Sequence, residues 1–562
     1  MTMASIAGDR IEHGPWRERA LLLAALGALG GLLFDELVKP GDRAVDLALA
    51  SFIAVGGVVL AFSLERLRAH WSLAFALLGA TVSALVAWWN GSPGGWGADE
   101  GWQFASAVAA VAIAVPLFQA ARDEGALRFP VAAVHAHAWS NAILWGAAMV
   151  FTVASVILTL LLSELFALIG LTFLRNLVRE SAFMWSLACA AFGGAVGLLR
   201  DRDTVADTLQ RVARAILAVL APVLAVGLAF FVLALPFTGL EPLWDQTQAT
   251  TPILLACMVG AAILINAAAG NSADDEVRAP PVRWAAMTLA ACLLPLALVA
   301  AVSTAKRIGQ YGFTPDRLWA AVFVAVAAAV ALGYLGALIR GRRAWAEPLR
   351  RANVALAGGV CLLALFLALP IVSFGSLSAR DQVTRLERGR IAPERFDWAA
   401  LRWDFGPEGR AALERLARTG PAALRARAAS ALKAQNRYAH GAPVPPPPPA
   451  TVRVEGGAAM PPALAEAIGR ARQCGVRQEG CRLALLSAGE AVLVSAPCAT
   501  CRPGSMFFVR RPDGSWVRRG EPEEGQQPEQ EAMGVPQGPV EVREVTKRQV
   551  FVGNRPVGAP ID

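Results

Sequence analysis

Thr152, Ser155, Thr159 and Ser163 recur every three or four residues and lead into Glu164. On a helix that spacing puts four hydroxyls on one face, with a carboxyl at the end. Such a stripe either lines a polar path through apolar surroundings or hydrogen-bonds one helix to another. A second group is Cys474, Cys481, Cys498 and Cys501. An even cysteine set in an oxidising space reads as disulfides, and four cysteines allow three pairings. Cys474–Cys481 with Cys498–Cys501 closes the shortest loops. Two other chemistries compete. Cys498-Ala499-Thr500-Cys501 has redox spacing with Arg502 beside it, yet Pro503-Gly504 stops the long helix such a motif would open. Zinc is disfavoured because six residues separate the first pair, where two to four are usual. Cys189, Cys257, Cys292 and Cys361 lie singly in four apolar runs and read as packing residues. His135 and His137 would point about 200° apart on a helix, so they do not share a metal ion. No metal and no cofactor is expected. No phosphate-cradling glycine loop, HExxH or GxSxG occurs.

The elements that must position these groups are set by composition. The chain has 562 residues, 55% hydrophobic and only 17% charged, against about 45–50% and about 25% in soluble proteins. Mean hydropathy is +0.46. A soluble protein could not hide so much apolar surface, and a disordered chain would lack it. Eleven runs are long enough for a hydrocarbon core of roughly 30 Å: 20–38, 46–64, 71–89, 102–121, 141–163, 182–199, 214–237, 251–270, 284–303, 317–339 and 352–374. The expected fold is an all-α polytopic membrane helix bundle of about eleven transmembrane helices. A small helical segment and a small soluble α+β module follow it. The first run has no clear cleavage site and leads into Asp35-Glu36, so it reads as an uncleaved span. The stretch 142–174 is too long for one simple span. Ser163-Glu164 is taken as its interruption, with an interfacial or re-entrant helix behind it.

Orientation follows from lysine and arginine in the short connections. Loops 90–101 and 238–250 hold none, whereas 340–351 holds Arg340, Arg342, Arg343, Arg350 and Arg351. This places residues 1–19 in the cytoplasm, the bundle at 20–375 in the bacterial inner membrane, and everything beyond in the periplasm. The net charge of +8 does not point to nucleic acid, because the cations sit between apolar runs. The expected partners are the lipid bilayer and, through the C-terminal module, envelope proteins.

After Phe374 the composition changes. Residues 376–440 read as a helical extracytoplasmic segment, with Pro393 and Pro407 in first turns. A proline-rich linker at 441–450 is a stiff spacer of about 3.1 Å per residue. The module at 451–562 is expected to hold a helix at 461–472, strands at 483–487, 491–495, 507–511 and 515–519, and a last hairpin from 540–545 and 549–552. Its acidic stretch 520–538 reads as partly disordered.

Between the ninth and tenth runs lies the segment Lys306 to Trp319, which contains Arg307, Gln310, Tyr311 and Arg317. Gly309 and Gly312 permit a tight turn, Thr314 is placed to cap the next helix, and Pro315 suits its first turn. Tyr311 and Trp319 are interfacial anchors. Three cations on the outer face call for a partner, either a lipid phosphate or an acid such as Asp35, Glu36, Glu241 or Asp245. The segment resembles the R-I-x-x-Y-G-x-T-x-x-R stretch of a family of polytopic bacterial inner-membrane proteins catalogued as a domain of unknown function, DUF4153. His137 to Asn141, Leu165 to Gly170, and Asp381 to Phe405 are similar to further segments of that family. The resemblance implies a membrane bundle and no particular reaction.

Three readings of function follow. The first is an envelope protein that binds or moves something at the inner membrane, or scaffolds there, with Glu164 and the Tyr311 cations facing one cavity. The second is a membrane enzyme acting on a lipid-linked substrate, with Glu164, Asp35 or Glu36 as its acid or base. The third is a signalling or assembly partner acting through the tail.

Overall fold

A computed structural model describes residues 16, 18–39, 43–66, 68–91, 98–201, 203–240, 250–434, 437, 452–455, 459–470, 481–495, 504–512, 514–518, 548–552 and 555–561. Among them, eleven helices are long and apolar enough to cross a membrane. They are α1 (Arg19–Val38), α2 (Arg43–Ser63), α3 (Ala69–Asn90), α4 (Ala98–Glu124), α5 (Val131–Leu168), α7 (Ser181–Arg200), α8 (Asp203–Thr238), α9 (Thr250–Ala269), α10 (Pro280–Tyr311), α11 (Pro315–Gly341) and α12 (Ala346–Ala368). The short α6 (Phe173–Arg179) separates α5 from α7. Large apolar side chains such as Val223, Phe230 and Leu161 point outward, Phe230 at 75% exposure. Outward apolar surface on this scale needs lipid as its solvent.

Two packing centres organise the helices. One joins α1, α2, α3, α4, α5 and α7 through Leu23, Val59, Phe62, Ala76, Val115, Leu144 and Val196. The other joins α8 to α12 through Ala225, Ile265, Leu289, Leu293, Tyr334 and Leu349. Helices α1 and α7 approach closely, where Gly27, Gly31, Gly193 and Gly197 set backbone against backbone. The four-residue glycine spacing visible in the sequence is therefore a helix-packing device.

Helix α5 differs from expectation. It runs unbroken for 38 residues through Ser163-Glu164, about 57 Å at 1.5 Å per residue. Serine and glutamate keep their backbone N–H groups and tolerate helical angles, so they do not stop it. The stop is Gly170, at φ +84°. Its N–H reaches the Ala167 carbonyl while that of Leu171 reaches Phe166, the double bond that closes a helix on a left-handed glycine.

Beyond the bundle lie α13 (Phe374–Glu387), α14 (Trp398–Trp403), α15 (Gly406–Thr419) and α16 (Ala422–Lys433). Residues up to 393 and 397–440 form one compact unit. Pro407 sits in the first turn of α15 as expected. Pro393 instead lies in the turn before α14, where its carbonyl accepts from Trp398 Nε1 at 3.0 Å.

The second compact unit contains residues 441–562 together with 394–396. Its sheet has the order β1-β2-β3-β4-β5, from Arg453–Val454, Arg482–Ser487, Glu490–Ser495, Gly504–Arg510 and Trp516–Arg518. β1 runs parallel to β2, and the other pairs are antiparallel. Alternation sends Leu483, Ala491, Leu493, Met506 and Phe508 to one face. There Leu464, Ala467 and Ile468 of α17 (Pro462–Arg470) cover them. The last hairpin pairs β6 (Arg548–Val552) with β7 (Arg555–Ile561). The expected partner strand 540–545 lies outside the described residues, as do the linker 441–450 and the stretch 520–538.

Candidate functional site

The hydroxyl stripe of α5 turns inward on its own helix. Thr152, Ser155 and Thr159 each donate at 2.8 Å to the carbonyl four residues earlier. Ser163 is buried. Glu164 is 68% exposed and pairs with Arg175 at 2.6 Å. The stripe and the carboxyl thus do not converge on one polar path.

The segment Lys306 to Arg317 forms the end of α10 and a tight turn into α11. Gly312 sits at φ +78°, and the Thr314 hydroxyl accepts from the Arg317 N–H as expected. The acid that meets this turn is Asp381 of α13, whereas Asp35 and Glu36 face Lys39. Hydrogen bonds to Glu36 and Asp35 hold the Lys39 ammonium above its usual range. Glu241 and Asp245 lie outside the described residues. Asp381 accepts from the Phe313 N–H at 2.8 Å and from Arg385 at 3.0 Å. Gln382 donates to the carbonyls of Tyr311 and Phe313. Arg317 donates to the Tyr311 and Gly312 carbonyls and lies over the Tyr311 ring. Gln310 is exposed and Arg307 half-buried at the end of α10. The turn is a clamp between the bundle and α13. Gly312→Ala would set a Cβ 2.6 Å from the Asp381 and Gln382 side chains at a backbone angle that costs about 1–3 kcal/mol. The expected result is a lower melting temperature together with faster proteolysis at the turn. Unchanged melting and cleavage would refute the clamp.

Farther along the tail, burial pushes the Asp404 carboxyl above its usual range, opposed by its ion pair with Arg437. Cys481 is 2% exposed in the module core. Cys474, Cys498 and Cys501 lie outside the described residues. Among the described residues, no three His, Cys, Asp or Glu side chains are placed to hold a metal ion.

Arginines at the opposite helix ends have a role that charge counting did not show. The last three carbonyls of α2 are taken by side chains of other helices. Arg200 binds Ala61, Gln119 binds Phe62, and Arg122 and Ser72 bind Ser63. Glu65 holds both Arg19 and Arg200. Arg350, 2% exposed, donates to the carbonyls of Ala269 and Ser272 past the end of α9. A helix C-terminus is a ring of orphan acceptors with partial negative charge, which a guanidinium satisfies well.

Above these caps lies a polar network the sequence reading missed. Asn266 of α9 donates to the Tyr334 hydroxyl of α11 at 2.7 Å and to the Ala262 carbonyl at 2.8 Å. Asn353 of α12 meets Asn266 Oδ1 at 2.6 Å and His135 Nε2 of α5 at 3.3 Å. His135 Nδ1 lies 2.9 Å from the Val131 carbonyl. His137 points elsewhere, to Asp123 at 2.8 Å, as the two-residue spacing requires. The visible signal was the rarity of asparagine, histidine and tyrosine within apolar runs. Beside this network, α2, α4, α5 and α12 enclose a cavity of about 480 Å³, to which His135, Asn141 and Asn353 contribute the polar groups.

Residues 50–416 match the family model described as Domain of unknown function (DUF4153). The chain belongs to this family. No curated protein and no solved structure matches it. The matched range contains all four segments that carried the resemblance, together with every residue of the clamp, the arginine caps other than Arg19, and the network. DUF4153 carries no assigned activity, so the chemistry of this member rests on its own geometry.

Proposed function

We propose that the protein is a multi-pass component of the bacterial inner membrane, with its N-terminus cytoplasmic and its C-terminus periplasmic. Its helix block binds or moves a ligand, and its disulfide-bridged C-terminal module meets envelope proteins. The observation that carries the binding role is the cavity, an apolar hollow of about 480 Å³ with three polar side chains on its wall. Pockets of this size and lining are where small ligands bind. The orientation is supported by Arg340, Arg342, Arg350 and Arg351 at the start of α12 and the end of α11, since arginine-rich connections stay inside. The disulfide reading is supported by the burial of Cys481 beside Leu483, where a bridge to Cys474 would pin the start of β2 to the segment before it.

Reporter fusions after residues 95, 245, 345 and 440 test the topology. The expected pattern is periplasmic, periplasmic, cytoplasmic and periplasmic. The reverse pattern would remove both the orientation and the oxidising compartment. Thiol alkylation of the denatured tail with and without reductant is expected to label Cys474, Cys481, Cys498 and Cys501 only after reduction. Full labelling without reductant would remove the bridges.

A further inference from the structure

The cavity walls state what kind of ligand fits. No lysine, arginine, aspartate or glutamate lines it, so a charged headgroup would enter without a counter-charge, at a steep desolvation cost. The hydrogen-bonding capacity can be counted proton by proton. Asn353 spends both amide protons on Asn266 and His135. With His135 Nδ1–H on the Val131 carbonyl, its Nε2 serves as acceptor for Asn353. Asn353 and His135 are therefore already partnered within the network beside the cavity.

Two groups on the wall are not saturated. Asn141 donates one proton to Gln119 Oε1 at 2.7 Å and accepts from Gln119 Nε2 at 3.3 Å. Its second N–H is unspent. Pro116 lies inside α4 and has no N–H, so the carbonyl of Ala112 loses its intrahelical donor. Asn141, Ala112 and Pro116 all line the cavity. One donor and one acceptor are the complement of a hydroxyl. The mouth is defined by Ala112, Ala138, Ala142 and Trp145, all exposed lining residues within membrane-spanning helices. A ligand passing that mouth arrives sideways from the bilayer.

We propose that this cavity binds a neutral lipid headed by a hydroxyl, the head between Asn141 and the Ala112 carbonyl and the chain leaving past Trp145 into the bilayer. This rests on the reading of the helix block as a binding body. Two sources share the chemistry, an isoprenoid alcohol and a diacylglycerol.

The test uses the full-length protein in phosphatidylcholine nanodiscs, irradiated with a diazirine-bearing isoprenoid alcohol, a diazirine-bearing diacylglycerol, or the methyl ether of the alcohol probe. Crosslinked peptides are then mapped by mass spectrometry. The expected result is labelling concentrated in 112–117 and 134–145, about fivefold weaker for the ether and for Asn141→Leu, as loss of one hydrogen bond implies. Ala142→Leu narrows the mouth without touching the Gln119 pair. It is expected to reduce labelling as strongly, and it keeps the test decisive if Asn141→Leu does not fold. Whichever of the two hydroxyl probes labels more strongly identifies the source. Equal labelling by the ether, or labelling spread over lipid-facing α8, would mean bulk lipid only and overturn the proposal. Neither result alters the reporter pattern, so failure here stays separable from failure of the topology.

Discussion

Gly193→Val is expected to abolish accumulation of folded protein, and any protein recovered should melt far below the parent. A Cβ at Gly193 would overlap the Leu23 carbonyl oxygen of α1. One at Gly31 would lie 2.5 Å from the Trp185 carbonyl oxygen of α7, and one at Gly197 would lie 2.6 Å from Ala20 Cα. These neighbours are backbone, so no side chain can rotate away. The helices would have to separate along their whole contact. Lipid supplies no hydrophobic force to hold them, because its tails are as apolar as leucine. Close van der Waals packing is what remains, and overpacking it costs about 3 kcal/mol or more. Gly227→Ala is the control. A Cβ there meets nothing within 4 Å, so melting is expected to stay level or rise slightly. Thermal unfolding in detergent, alongside membrane accumulation, reads both. A Gly193→Val protein that accumulates and melts normally would show that the helices are not apposed at their backbones.

Glu65→Gln is expected to cost nearly as much, by a different route. The Arg19 and Arg200 side chains are 6% and 10% exposed, and both close on the Glu65 carboxylate. Asp201 reaches Arg19 only at 3.5 Å. Removing the shared carboxylate leaves two poorly solvated guanidinium groups side by side. Breaking a buried ion pair on one side costs about 3–5 kcal/mol, and the partial exposure of Glu65 puts the expectation at the lower end. Because Arg200 also caps α2, the loosened pair should expose the end of that helix. A drop in melting temperature that persists at high salt is the expected result, since buried pairs are screened little. A drop that vanishes in salt, or no drop, would reduce the triad to surface decoration.

The membrane architecture was legible because its physical requirement is one-dimensional. A span needs about 20 apolar residues in a row, and a row can be counted. The same holds for alternation in the strands around Leu483 and Leu493. The turn at Gly312 was legible too, since Gly-Phe-Thr-Pro carries its own cap and first-turn proline. The four-residue spacing of Gly27/Gly31 and of Gly193/Gly197 can be seen in the sequence, but their meeting with each other cannot.

What only the tertiary structure decided is which apolar residues face protein and which face lipid. In water a helix declares its inner face by hydrophobic contrast. In a bilayer both faces are apolar and the contrast disappears, so local periodicity says nothing of helix neighbours. Hence His135 and Asn353 meet across 218 residues of sequence, and Asp381 rather than Asp35 receives the turn. For the same reason Arg200, Arg122 and Arg350 could be counted as loop charges yet not recognised as caps on α2 and α9. Helix α5 passed through Ser163-Glu164 because a polar pair does not end a helix when its carboxyl finds Arg175 and its backbone bonds continue to Gly170.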